Sequence, residues 1–203
     1  MPIPPPNKPS KFEGMLLALY RRFDYDEVIG LRDSVGSYVS SKARSIQKQI
    51  DSLKTATDDP TWSPDEYRYH LEAEGEFLGE IQGLADELSI LAIYKKLEIT
   101  IRKLVVKFYP VLDRHELHKI DYLKNNLPFS IETLAGFASV NELRLINNAI
   151  KHEGIVSKAL AKYAGWTEGE RLNNLGSAFH RLAPGVETYV AEFCDAVRND
   201  TGA

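Results

Sequence analysis

The stretch "NELRLINNAIKHEG" concentrates side chains that can bind a phosphate or move a proton. Residues three or four positions apart stack along one side of a helix, which places Arg144, Asn148 and His152 in one row. Asn147 and Lys151 form a second row beside it. Two side-chain cations suit the negative charge that develops on a phosphodiester during cleavage, and an imidazole can transfer a proton near neutral pH. The pattern is therefore typical of a site for phosphodiester chemistry.

The same residues also fit an ordinary helix surface. Asparagine, lysine and histidine near a helix C-terminus can bond the free carbonyl groups there and interact favourably with the helix dipole. Against this interpretation, Asn147 and Asn148 lie in the helix interior, where each costs roughly a few tenths of a kcal/mol relative to better helix formers. From the residues alone, both interpretations stay open.

Helices must position these side chains, because helical periodicity recurs along the chain and the two-residue alternation of strands is almost absent. We expect helices over 11–23, 26–54 and 64–109, one short helix within 110–130, the polar helix quoted above, and a last helix that begins at Pro184. Ser63 fits the N-cap of the 64–109 helix. Ser139 and Glu142 fit a capping box for the polar helix, which Gly154 would end. The sequence predicts an all-α bundle of long antiparallel helices.

Length and composition indicate a soluble globular protein, with 203 residues of which 43% are hydrophobic and 27% charged. We expect a flexible proline-rich leader over 1–10 and a single domain over 11–203. A net charge of −4 gives no general attraction to nucleic acid, so an RNA contact requires a local cluster of cations. The one cysteine, Cys194, is expected to be a buried, unreactive thiol. The sequence has no signal peptide or membrane-spanning run, which predicts a cytoplasmic protein without membrane contact.

Three further side chains bear on a site. Glu98 lies on or beside the apolar stripe of the 64–109 helix, where it either pairs with Arg102 or another base, or orients a catalytic cation on a neighbouring helix. His115 and His118 can share a helical face, but no further ligand follows at metal-binding spacing. We interpret both as surface histidines and expect neither a metal site nor a cofactor.

The stretch "NELRLINNAIKH", preceded by "LAIYKKLEITIRKLV", resembles the HEPN superfamily of small helical-bundle ribonucleases and their inactive relatives. Members belong to toxin–antitoxin, abortive-infection and other anti-phage systems, and the resemblance covers roughly residues 90–158. It implies metal-independent RNA cleavage in which His152 transfers a proton and Asn148 orients the phosphate or the imidazole. Arg144 or Lys151 would stabilise charge on the phosphate. Glu98 matches the acidic residue of the preceding family helix, and the resemblance also implies a homodimer that pairs the polar helix across a two-fold axis.

One position departs from the family pattern. Four residues separate Asn147 from His152, so an asparagine stands where the family has arginine, and Arg144 lies one turn earlier. Lys151 can supply a cation, but a lysine does not reproduce bidentate phosphate binding. Two functions therefore remain: an endoribonuclease that binds RNA, or a catalytically inactive helical module that binds a cognate partner protein as an antitoxin, sensor or assembly subunit.

A third interpretation is a small-ligand pocket lined by the aromatic side chains Trp62, Tyr67, Tyr69 and Trp166. Aromatic residues near loops more often cap a core than form a pocket. This interpretation has the least support in the sequence.

Overall fold

The computed structural model describes residues 11–55, 63–152 and 154–202. Over these ranges the chain is all-helical, which confirms the predicted class. The helices are α1 (Lys11–Tyr20), α2 (Asp26–Leu53), α3 (Pro64–Phe108), α4 (Ile120–Asn126), α5 (Phe137–Lys151) and α6 (Leu175–Thr201), with a 3-10 turn at Leu160–Lys162. The same ranges contain no strand, only an isolated antiparallel bridge between Ile155 and Arg171. The expected leader over 1–10 and Trp62 lie outside the described residues.

Contacts divide the chain into two compact units. One unit covers Asp26–Ser89, which contains α2 and the first part of α3. The other combines the segment that ends at Tyr25 with the segment that begins at Ile90. The six side chains that the sequence nominated for phosphodiester chemistry lie in this second unit. The expectation of a single domain over 11–203 stays a prediction.

The unit formed by Asp26–Ser89 has its own small core between α2 and α3. Its buried members are Ile46, Leu53, Leu71 and Leu78. Arg32 and Asp86 add an ion pair at 3.0 Å between Nε and Oδ1, with both side chains largely shielded from solvent. No helix in the described ranges has the length and apolar character that crossing a membrane requires.

The second unit is built around α6, whose buried side chains include Val186, Tyr189 and Phe193. The expected start at Pro184 is wrong, because α6 begins at Leu175 and contains the proline. A proline inside a helix costs about 3 kcal/mol through a lost hydrogen bond and a steric clash. Burial of Ala178, Phe179, Leu182 and Ala183 in the preceding turns offsets that cost.

Helices α5 and α6 meet at a contact made by small residues. Gly136, with φ +82°, precedes the first residue of α5, and a side chain there would collide with the backbone of Gly185 and Tyr189. A side chain at Gly185 would collide with Ser139. The predicted Ser139 cap is therefore wrong: α5 begins two residues earlier, and Ser139 lies inside the helix where α6 packs closest.

Candidate functional site

Helix α5 presents its polar side to an open groove of about 580 Å³. Four of its side chains line this α5 groove: Arg144, Asn147, Asn148 and Lys151. Helix α3 contributes Tyr94 and Glu98, and the segment from Glu116 to Asn126 forms the remaining wall. The structure therefore brings together five of the six side chains that the sequence nominated.

The sixth, His152, lies at the end of α5 and does not line the α5 groove. It is the C-terminal cap residue, with φ −110° and ψ −81°, and its backbone N–H donates to the carbonyl oxygen atoms of Asn148 and Ala149 at 3.2 and 3.3 Å. The chain leaves helical geometry at this residue, although its N–H still makes the helical bond to Asn148. Its imidazole is exposed to solvent, and its role in proton transfer stays a prediction.

Asn147 differs from the expectation of a fully polar helix side. It is only 1% exposed and lies at the floor of the α5 groove, whereas Asn148 and Lys151 are exposed. The side-chain Nδ2 of Asn147 donates to Oδ1 of Asn148 at 3.4 Å. The position that carries arginine in the family pattern is thus shielded from solvent in this chain.

Arg144 is held in place by a chain of side-chain hydrogen bonds. Its Nε and Nη2 donate to Oδ1 of Asn141 at 3.2 and 3.0 Å. Asn141 in turn donates from Nδ2 to the Tyr163 hydroxyl at 2.8 Å. A guanidinium fixed in this way loses less conformational entropy when it binds an anion, so Arg144 is preorganised for the groove.

On the α3 side, Glu98 and Tyr94 face Arg144. The nearest ion-pair partner of Glu98 is Lys95 at 3.6 Å, one turn earlier on the same helix, and not Arg102. Burial and, to a smaller extent, the nearby Glu98 carboxylate raise the pKa of the Tyr94 phenol to about 12, against the lowering effect of the Arg144 guanidinium. These influences place the three groups within electrostatic reach of one another, and Tyr94 stays protonated as a hydrogen-bond donor at neutral pH.

An imidazole does share the α5 groove with Arg144, and it belongs to His118. This residue lines both the groove and an adjoining apolar recess of about 60 Å³, where Tyr94, Glu98 and Arg144 are also found. His115 lines neither. Both histidines are exposed, as expected, but the position of His118 opposite α5 depends on how the segment between α3 and α4 returns to the bundle. Sequence spacing carries no signal for that return.

No family model, curated protein or solved structure matches this chain. The chemistry of the α5 groove is therefore inferred from its own residues. Arg144 and Lys151 can bind phosphate oxygens, and Asn148 can donate or accept a hydrogen bond. His118 can transfer a proton in the same space.

Glu142 is a second residue that sequence reasoning misplaced. It was expected to cap α5, but its side chain is 4% exposed and accepts two hydrogen bonds from the Arg181 guanidinium and one from Trp166 Nε1. Trp166, one of the aromatic residues of the third interpretation, thus donates its indole N–H to a buried carboxylate. Tyr67 and Tyr69 lie in the other compact unit.

Proposed function

We propose that this protein is a HEPN-like endoribonuclease of a bacterial defence or toxin–antitoxin system, acting without a metal. The observation that supports the proposal is the α5 groove, where Arg144 and Lys151 converge with the amides of Asn147 and Asn148. A chain of net charge −4 has no general affinity for RNA, so a local pair of cations in an open groove is what RNA binding requires.

In this proposal the phosphodiester lies along α5. Arg144 and Lys151 donate to the non-bridging phosphate oxygens, and their charge is worth most as negative charge builds up in the transition state. Asn148 orients the phosphate from the same side of the helix. The ribose 2′-oxygen attacks phosphorus after giving up its proton, and the leaving 5′-oxygen takes a proton, so cleavage needs a base and an acid.

Two imidazoles are candidates for these proton transfers. His152 is the one that the family resemblance nominates, and a second copy paired along α5 would bring its own His152 towards the groove. His118 is the one that lies in the groove of a single chain. A cleft that uses both would have one imidazole accept the 2′-hydroxyl proton while the other donates to the 5′-oxygen.

Cleavage of a single-stranded RNA by the purified protein in the presence of a metal chelator tests the proposal. We expect Arg144→Ala to reduce the rate by about 100-fold, the typical effect of removing one donor that stabilises the transition state. His118→Ala and His152→Ala identify the imidazole that acts, and His115→Ala, in the same segment but outside the groove, is the matched control. Absence of chelator-resistant cleavage by the wild-type protein, or full activity of Arg144→Ala with an unchanged helical spectrum, would contradict the proposal.

The second candidate is a catalytically inactive helical module that binds a cognate protein. It is favoured by a specific observation: the asparagine at the family arginine position is buried, and His152 does not line the α5 groove. In that case the α5 groove accepts acidic or amide side chains of the partner instead of a phosphate. Expression in bacteria separates the two: growth arrest relieved by His152→Ala or His118→Ala supports the ribonuclease, whereas indifference to both changes supports the module.

A further inference from the structure

A second groove, remote in sequence from α5, lies between α1 and the C-terminal part of α3. It has a volume of about 800 Å³ and an apolar lining that includes Leu16, Ile99 and Val106. Its rim carries four cations: Arg102, Lys103, Lys107 and Arg114. None of these residues lines the α5 groove, so this basic groove is a separate feature of the molecule.

Helix α1, which contributes Leu16 to the basic groove, also carries an exposed apolar row. Phe12, Met15 and Leu19 follow helical spacing and are 66%, 72% and 67% exposed, whereas Leu17 is fully buried. An isolated exposed apolar side chain is ordinary, but a contiguous row beside a groove is typical of an interaction surface.

Most of the charge on the rim is uncompensated. Lys107 pairs with Glu13 at 3.0 Å between Nζ and Oε1. Arg102, Lys103 and Arg114 form no ion pair with any residue in the part of the chain that the structure describes. Three such cations beside an apolar lining favour an occupant that carries both carboxylates and a large apolar side chain.

The chain itself presents a surface of that chemistry in its other compact unit. Glu72, Glu76 and Glu80 follow one another at intervals of four residues on α3, so they share one helix face, and all three are exposed. Phe77, beside them, is 59% exposed. The three carboxylates have no ion-pair partner among the described residues. We name Glu72, Glu76, Phe77 and Glu80 the acidic face.

We propose that the basic groove of one copy of this chain binds the acidic face of a second copy. Phe77 would pack against the exposed apolar row of α1, and the carboxylates would pair with Arg102, Lys103 and Arg114. An amphipathic helix in a concave groove is a common recognition mode, and the concave shape favours a helix over the flat surface of a membrane. Because the two surfaces differ, the pairing either occurs twice across the two-fold axis of a dimer or repeats head to tail into a ring or an open chain.

Charge reversal on each surface tests this pairing, with mass measured by sedimentation and light scattering across the micromolar range. The acid-reversed variant carries Glu76→Lys and Glu80→Lys, and the base-reversed variant carries Arg102→Glu and Lys103→Glu. We expect the wild-type protein to form multiples of its 22.9 kDa mass, more weakly as salt rises. Each variant alone should associate at least about tenfold more weakly, since like charges then face each other.

Mixing the two variants is the decisive step. The intact groove of the acid-reversed copy can bind the intact acidic face of the base-reversed copy, so the mixture should regain association that neither variant shows alone. A control with Lys158→Glu and Arg171→Glu changes the net charge as much as the base-reversed variant does, at exposed positions outside both surfaces, and should assemble like the wild type.

Three results would overturn the proposal. The wild-type protein stays a monomer throughout, or both reversed variants assemble as it does, or the mixture fails to regain association. Binding of a monomeric wild type to vesicles of phosphatidylcholine and phosphatidylserine, lost in the base-reversed variant, would assign the basic groove to an anionic membrane surface instead. None of these results bears on RNA cleavage, so the ribonuclease proposal stands or falls separately.

Discussion

Glu142 and Arg181 join α5 to α6 through a two-point ion pair. The Arg181 Nη1 and Nη2 atoms donate to Oε2 and Oε1 of Glu142 at 2.9 and 2.7 Å. The carboxylate is 4% exposed while the guanidinium is half exposed, and Trp166 Nε1 donates a third bond at 2.7 Å. Since α5 carries most of the candidate site, this pair anchors the helix that the α5 groove depends on.

Removing the carboxylate should destabilise the fold. Glu142→Ala leaves the Trp166 N–H and the Arg181 guanidinium without their acceptor, and we expect it to lower the free energy of unfolding by about 2–4 kcal/mol. Urea unfolding followed by circular dichroism measures the change. Arg198→Ala is the matched control, because the Asp195 carboxylate that it pairs with is 32% exposed and the pair should be worth less than about 1 kcal/mol. Equal losses for the two variants would contradict the burial argument.

Gly136 should tolerate no side chain. Its φ of +82° is strained for other residues, and an added Cβ would collide with the backbone of α6 at Gly185. We expect Gly136→Ala to cost at least about 2 kcal/mol in thermal or urea unfolding. Gly154 has a similar φ of +65° but open space around it, so Gly154→Ala should cost only about 1 kcal/mol. A smaller cost at Gly136 than at Gly154 would show that the helices do not approach this closely.

Cys194 should make stability fall at high pH. Burial raises the pKa of its thiol from 9.0 to about 12, so between these values the unfolded thiol ionises while the folded one stays protonated. The unfolded state then binds fewer protons, and this group lowers the free energy of unfolding by up to about 1.4 kcal/mol per pH unit above pH 9. Below pH 9 the thiol is protonated in both the folded and the unfolded state, so Cys194 causes no pH-dependent loss of stability there.

Unfolding curves from pH 8 to 11 test this dependence. Cys194→Ala should flatten the alkaline slope, although the smaller side chain also lowers stability at every pH. If the free energy of unfolding falls with the same slope in the variant and in the wild type, the assignment to Cys194 is refuted. A thiol reagent should also react with the native protein far more slowly than with the unfolded chain, because the residue is 0% exposed.

Tyr163 should matter for RNA binding without touching RNA. Its hydroxyl accepts a hydrogen bond from Asn141 Nδ2. This bond holds the Asn141 side chain, whose Oδ1 accepts from the Arg144 guanidinium. We expect Tyr163→Phe to weaken binding of a single-stranded RNA by roughly fivefold, equivalent to about 1 kcal/mol. Fluorescence anisotropy provides the measurement. Tyr67→Phe, which removes a hydroxyl bonded to Gln49 in the other unit, is the control and should bind RNA normally; a matching loss there would point to a general effect on folding.

Helix boundaries set by local chemistry were predictable. The expected helices over 26–54 and 64–109 differ from α2 and α3 by one residue at their C-terminal ends. The signals that predict these ends, apolar periodicity and nearby prolines, lie within a few residues of each boundary. The first helix was expected to reach residue 23 but ends at Tyr20. Two other boundaries failed where a distant element intervenes. Ser139 and Pro184 look like helix starts, but packing between α5 and α6 extends both helices past them.

The sequence by itself determined that the chain is helical and that Arg144, Asn148 and Lys151 lie on one side of α5, since three-to-four spacing on a single helix requires no other part of the protein. Only the tertiary structure decided that Asn147 is buried and that His118, not His152, shares the α5 groove with Arg144. The reason is physical: burial and convergence across a groove depend on contacts between segments far apart in the chain. Spacing along one helix contains no information about them.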